Sequence, residues 1–161
     1  MSGEVLHMLL QGGRVQKFNE WRMKNLIVKL DFSGADLSGK DLSGAYLNGI
    51  VATNASFARA NLSGANFVQA DLNGANFEGA NCNGALFLYA EMKNTRLAGA
   101  DVQKANFMWA NLQGADMSGM RILQTVLVEA NMQNANVAGS DKMAAYLKYA
   151  NLEGTTWADS R

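Results

Sequence analysis

From Leu30 to Asp159 the chain divides without a gap into 26 consecutive blocks of five residues, such as ADLSG at 35–39, ANLSG at 60–64, ANFEG at 75–79 and ANLQG at 110–114. The central residue of each block, from Phe32 to Trp157, is a large or medium apolar side chain in 24 of the 26. Ala52 and Lys142 are the exceptions. Two positions before the centre 18 of 26 residues are Ala, one before it 16 are Asp or Asn, and two after it 13 are Gly. A period of five matches neither a helix, at about 3.6, nor a simple strand, at about 2. It sends every fifth residue into a shared interior, with a smaller inward position three residues later. Five residues suit one short extended side and one corner, and Asn, Asp and Gly are corner residues. Stacked sides of this kind form a solenoid in which each coil touches only its neighbours.

Composition agrees with stacking. The 161 residues include 24 Ala, 17 Asn and 16 Gly, and no Pro. Proline would delete a backbone donor wherever the chain pairs with the coil above or below. The length allows one ordinary domain. Cys82 is the sole cysteine, which excludes a disulfide framework and any multi-cysteine metal site. The 14 basic and 14 acidic residues cancel, which weighs against a nucleic-acid binder and against a strongly acidic mimic of one. No apolar run approaches the ~20 residues of a membrane span. The amino end has no basic residue before its apolar run and no signal-like cleavage site. A cytoplasmic protein without membrane contact is expected.

The blocks resemble the pentapeptide repeat family, whose consensus is A-(D/N)-L-x-x. The resemblance covers about four-fifths of the chain. It implies an all-β solenoid: a right-handed, four-sided (quadrilateral) β-helix of four blocks per coil, about six and a half coils in all, over residues 30–159. The column would be roughly 31 Å long at a strand spacing of ~4.8 Å.

Four blocks per coil place residues 20 apart on one side, which sorts the outward positions into four sides. The first side, centred on Phe32, Ala52 and Leu72, shows Asp71, Asn73, Glu91, Lys93, Asn111 and Gln113. The second, centred on Leu37 and Phe57, shows Asp36, Ser56, Glu78, Arg96 and several glycines. The third, centred on Leu42 and Leu62, shows Asn61, Asn81, Asp101, Lys104 and Arg121. The fourth, centred on Leu47, Phe67, Phe87 and Phe107, differs. Its outward positions include Tyr46, Val68, Leu86, Leu88, Tyr89, Met108, Trp109, Val126, Val128, Tyr146 and Tyr149. Such a concentration on one side exceeds the apolar patch that monomer surfaces usually carry. Three readings follow: a surface for a protein partner or for self-association, a surface covered by the protein's own amino-terminal segment, or a tolerated β-rich surface.

Residues 1–29 do not repeat. Val5, Leu6, Leu9 and Leu10 have helical spacing, with Ser2 as an N-cap, and Gly12-Gly13 breaks the helix. Val15, Phe18 and Trp21 mark a second helix ending near Asn25, followed by a lead-in strand over Leu26–Leu30. This segment carries five basic and two acidic residues, net +3, against net −3 for the repeats. A helical hairpin here is expected to cover the open first coil. Leu9-Leu10-Gln11-Gly12 followed by Phe18-Asn19-Glu20-Trp21-Arg22 resembles the leader of some cyanobacterial-type members of the family. At the other end no closing helix is expected; either Trp157 plugs the last coil or two molecules meet there. Lys142 at a centre predicts a bulge over Asp141–Ala144, with Met143 turning inward.

No catalytic constellation is present. His7 is the only histidine and stands apart, so no Ser/His/Asp triad forms. Cys82 is a block centre and reads as a buried structural thiol. Asp31, Asp36 and Asp41 fall on different sides and cannot converge on a metal. Asn54-Ala55-Ser56 and Asn61-Leu62-Ser63 match a glycosylation acceptor only because the repeat generates them. No phosphate loop or zinc motif appears. The expectation is a non-enzymatic protein–protein interaction or regulatory module, with no cofactor, metal, small-molecule substrate or nucleic acid. The alternative is the DNA-mimicking gyrase binding of some members of the family, which the zero charge and the missing carboxyl-terminal dimerisation helix disfavour.

Overall fold

The computed structural model describes residues 2–11 and 14–157. Gly12-Gly13, the side chain of Ser2 and the final residues through Asp159 lie outside the described residues, and the expectations placed on them with them. From Asp31 to Asn151, the residue before each block centre is bridged in parallel to the residue 20 positions on, except that Arg121 has no bridge to Asp141, where the ladder is interrupted. Asp31 pairs with Val51, Asp36 with Ser56, Asp41 with Asn61 and Tyr46 with Asn66, and the series runs on to Asn131 with Asn151. Four blocks therefore make one coil, and the column has four sides.

Every backbone N–H from Asn66 to Ala70 has a partner, which shows what each consensus position does. In the block 65–69, Asn66 N–H donates to Ala45 O of the coil below at 2.9 Å. Phe67 and Gln69 N–H donate to Leu86 O and Leu88 O of the coil above at 2.7 and 2.9 Å. Ala70 N–H closes the corner on Phe67 O at 3.0 Å. The remaining donor, Val68 N–H, has no backbone carbonyl to reach and is taken by the Asn66 Oδ1 at 2.9 Å. Asp and Asn stand before the centre because the corner needs a side-chain acceptor there. The same bond recurs at Ser33, Ser38, Ser43, Glu78 and Met108.

Among the described residues, the second residue after each centre turns the corner in the left-handed region, except Ala144 in the 3₁₀ turn. All thirteen of the Gly residues there have positive φ, and the non-glycine residues with positive φ stand at the same position. Because a corner follows each bridged residue, the expected stacked strand is a ladder of single bridges. Two-residue strands occur only as β1 (Thr125–Val126) paired with β2 (Ala145–Tyr146) among the described residues.

The interior is apolar, and aromatic at its middle. Phe57 and Phe77 stack at 5.0 Å beneath the second side; Phe67, Phe87 and Phe107 stack at 5.1 and 4.6 Å beneath the fourth. The two piles meet edge to face, as in Phe67 on Phe77 at 6.0 Å. Even Ala52, the weak centre, is fully buried.

The two ends differ. Helices α1 (Ser2–Leu10) and α2 (Val15–Lys24) bury Val5, Leu9 and Phe18 in the core cluster. Asn19 and Arg22 of α2 serve the lower edge of the first coil, where no earlier coil exists. Asn19 Nδ2 donates to Gly44 O at 2.9 Å and its Oδ1 accepts from Tyr46 N–H at 2.9 Å. Arg22 Nη2 donates to Asn48 O at 2.8 Å and Nη1 to Val28 O at 2.6 Å. Arg22 is buried, its Nε has no hydrogen-bond partner, and burial lowers its pKa. The expected lead-in strand over Leu26–Leu30 is instead a turn and irregular chain, with Leu26 and Ile27 exposed, since Arg22 folds Asn25 and Val28 carbonyls toward itself. At the far end the bulge is a 3₁₀ turn, Lys142–Ala144, capped by Asp141 Oδ1 on Met143 N–H at 2.9 Å. Met143 does not turn inward; it is 89% exposed. Lys142 Nζ finds Trp157 O at 2.6 Å, and buried Trp157 donates Nε1–H to Ser140 O at 3.1 Å.

Candidate functional site: the fourth side

The fourth side presents three outward columns over the Leu47–Phe67–Phe87–Phe107 stack. Tyr46, Leu86, Tyr89, Trp109, Tyr146 and Tyr149 are exposed; Val68, Leu88, Met108, Val126 and Val128 are half-buried between them. The amino-terminal helices reach this side only at its lower rim, through Gly44, Tyr46 and Asn48 backbone groups. They leave Tyr89 and Trp109 at 50% and 42% exposure, so the reading in which the chain covers its own apolar side does not hold.

The column at the left-handed corner reads Gly49, Gln69, Tyr89, Trp109, Glu129, Tyr149. The φ angles of Gln69, Tyr89, Trp109, Glu129 and Tyr149 lie between +55° and +62°. A bulky side chain there costs roughly 1–2 kcal/mol, because Cβ approaches the following carbonyl. The second side solves the same corner with Gly39, Gly79, Gly99, Gly119 and Gly139, and among the described residues only Arg59 departs. The first side alternates Gly with Asn54, Asn94 and Asn134, the residue type most at ease in this region. The ladder bond is also longer at the two stacked aromatic corners. Tyr89 N–H and Trp109 N–H reach the coil above at 3.2 and 3.3 Å, against 2.9 Å for Gly49 and Gln69 in the same column.

Part of that cost is offset locally. The Tyr89 and Trp109 rings stack at 4.7 Å and 13°. Trp109 Nε1–H donates to Glu129 Oε2 at 3.1 Å, and Lys148 Nζ lies 4.9 Å over the Tyr149 ring. Glu129 and Lys148 are the charged residues of the three columns.

The other sequence candidates carry no site. Asp31, Asp36 and Asp41 each hold the corner of their own side. The hydroxyls of Ser33, Ser38 and Ser43, then the N–H groups of the same residues, hold these carboxyls below the usual carboxylate range. Cys82 is fully buried, and desolvation followed by the Asp101 charge pushes its thiol up to about 12. Among the described residues no three His, Cys, Asp or Glu side chains are placed to hold a metal. Among them also, no helix is long and apolar enough to cross a membrane. A shallow open groove on the second side is lined by Ser38, Ala58, Arg59 and Glu78, above glycine corners.

A family model described as pentapeptide repeats matches eight copies, over residues 31–69, 65–103, 75–113 and 105–141. No curated protein matches the sequence. Solved structures do. HetL, a pentapeptide repeat protein involved in heterocyst differentiation regulation from the cyanobacterium Nostoc sp. strain PCC 7120, is 28% identical. That match covers 83% of this chain and 80% of HetL, with a TM-score of 0.38. Rfr23, a pentapeptide repeat protein from the cyanobacterium Cyanothece 51142, is 25% identical over 87% of this chain and 93% of its own, at 0.37. QnrB1, a plasmid-mediated fluoroquinolone resistance protein, is 18% identical over 82% of this chain and 76% of its own, at 0.43.

Proposed function

The chain belongs to the pentapeptide repeat family, and on that premise we propose that it is a non-enzymatic interaction or regulatory module whose working surface is the fourth side. The right-handed quadrilateral column supplies a rod of about six and a half coils, with α1 and α2 as its amino-terminal cap. The observation that carries the reading is the corner column of Tyr89, Trp109 and Tyr149. These aromatic side chains occupy left-handed backbone where glycine or a polar residue serves elsewhere, and they remain exposed. Strain kept at a surface is retained where the surface is used. Tyr and Trp are also the residues that dominate binding energy at protein interfaces.

A gyrase-directed DNA mimic would need an acidic face, whereas the chain has zero net charge and its fourth side pairs one Glu with one Lys. The test is the double variant Trp109→Asp/Tyr89→Ser. Circular dichroism and melting are expected to match wild type, while recovery of a binding partner, whether a different protein or a second copy, drops at least tenfold. Unchanged recovery and unchanged mass by light scattering would overturn the assignment of the fourth side.

A further inference from the structure

Resting on that assignment of the fourth side, we infer that its occupant is a second copy of this chain, laid face to face with the column running the opposite way. The bridges fix what such a twofold brings together, because the outward columns repeat every 20 residues. An axis perpendicular to the column, passing between Leu88 and Met108, pairs each residue of the middle column with one of the other copy: Leu88 with Met108, Val68 with Val128, Asn48 with Lys148. The corner column pairs Tyr89 with Trp109, Gln69 with Glu129 and Gly49 with Tyr149. The remaining column sets Tyr46 against Tyr146, Asn66 against Val126 and Leu86 against Asn106.

Both charges of the side meet amides in this arrangement. Glu129, which already accepts from Trp109 Nε1–H, keeps a carboxylate oxygen for the carboxamide of Gln69. The Lys148 ammonium meets the side-chain Oδ1 of Asn48, whose backbone carbonyl is held by Arg22. The most exposed aromatic of the corner column, Tyr149 at 74%, falls over Gly49, where there is room. The parallel twofold lacks these matches. Its middle column pairs each residue with itself, so Lys148 faces Lys148, and Glu129 falls on Val126. It also sets the two amino-terminal segments, each net +3, side by side. The antiparallel pair separates them by the length of the column, beyond a Debye length of ~8 Å. Like charges placed opposite cost affinity and decide orientation.

The contact is narrow. Six coils at ~4.8 Å and three residues at ~3.3 Å make a strip of roughly 29 by 10 Å. That is well under the ~800 Å² per partner of a standard interface, so the dimer is concentration-dependent, at micromolar affinity or weaker.

Sedimentation velocity across a concentration series tests the association, and cross-linking with copper–phenanthroline tests the orientation, with Cys82 changed to Ser in every chain. Wild type is expected to shift from monomer to dimer. Val68→Cys mixed with Val128→Cys is expected to give a disulfide-linked dimer, and either variant alone at least tenfold less. Val68→Cys cross-linking efficiently by itself would mean parallel copies and would overturn the inference. So would a monomer at every concentration. In that last case, partner recovery that still depends on Trp109 leaves the fourth side standing as an interface and removes only the second copy as its occupant. As a further check, Asn48→Asp places a carboxylate opposite Lys148 and is expected to tighten the dimer severalfold. Weakening would reveal the new carboxylate facing its own counterpart in the other copy, as parallel stacking requires.

Discussion

The second and fourth sides share one backbone and one interior but finish their corners differently. Beneath both run Phe stacks that interlock edge to face. On both, the bridged residue pairs at a spacing of 20 and the corner residue enters the left-handed region. The second side fills that corner with glycine at all described positions but Arg59 and leaves a shallow open groove. The fourth fills it with Tyr89, Trp109 and Tyr149, accepts a longer ladder bond at two of them, and leaves the rings in solvent. Since the fold is equally well made by glycine, the aromatic corners are not a requirement of folding. The comparison separates what the solenoid needs from what has been added to it.

The largest expected effect breaks what the two sides hold in common. Phe87 stacks on Phe67 and Phe107 and meets Phe77 edge-on at 5.9 Å. Phe87→Ala leaves a cavity at the junction of both piles and is expected to cost about 3–5 kcal/mol. Because coils support only their neighbours, the loss should open the middle of the column. Cys82, one block away and fully buried with its thiol raised to about 12, reports the opening. It should be inert to a thiol reagent at pH 8 in wild type and become reactive in the variant. Equal protection in both chains would mean the Phe piles are not the common support.

Much of this architecture was legible in the sequence, since a five-residue period over 26 blocks leaves few ways to pack. The four-sided sorting that singled out the fourth side needed only the step from five to twenty. What the period hid was backbone strain. Tyr89 and Trp109 read as outward residues, but their left-handed φ emerges only from the corner that Gly49 and its equivalents make. The Gly column two after each centre was the available signal, because any non-glycine in it inherits glycine's conformation. Asn19 and Arg22 were missed for another reason. Their partners are the Gly44, Tyr46 and Asn48 backbone groups, which no side-chain pattern advertises. Met143 was misread because Lys142 kept a partner in Trp157 O, so no apolar residue had to replace it inside.

The second effect is smaller and sharpens the contrast by exchanging the corners. Gly99 on the second side has open space where a Cβ would stand, but its φ is +66°. Gly99→Ala therefore isolates the conformational cost and is expected to lose about 1 kcal/mol. Trp109→Gly does the reverse: it relieves the same strain but removes the ring stacked on Tyr89. The two contributions are similar in size, so stability should change by less than ~1 kcal/mol. Association through the fourth side should nevertheless be lost. Melting curves of the two variants, with sedimentation of the second, decide the matter. A Trp109→Gly chain much less stable than wild type would show that the ring serves the fold after all.

The smallest effect concerns the first coil, where the sides again divide. On three of them the corner N–H is held by Asp31, Asp36 and Asp41, whose carboxyls lie below their usual range through the Ser33, Ser38 and Ser43 bonds. The fourth has Tyr46 at the equivalent position and no carboxylate. A carboxyl depressed in the folded state stabilises above its unfolded pKa, ~4, and that contribution is lost as pH falls through the lower folded value. All three groups are exposed, so the loss is slight. Asparagine makes the same corner bond at Asn66 and Asn76 and does not titrate in this range. The triple variant Asp31→Asn/Asp36→Asn/Asp41→Asn should therefore match wild type at pH 7 and lose less of its melting temperature between pH 4 and pH 2. Association through the fourth side should not distinguish the two chains at any pH in that range at which both stay folded. Parallel melting curves down to pH 2 would mean that the three corners hold their bonds without help from the charge, and acid-sensitive binding confined to wild type would tie the first coil to the aromatic face.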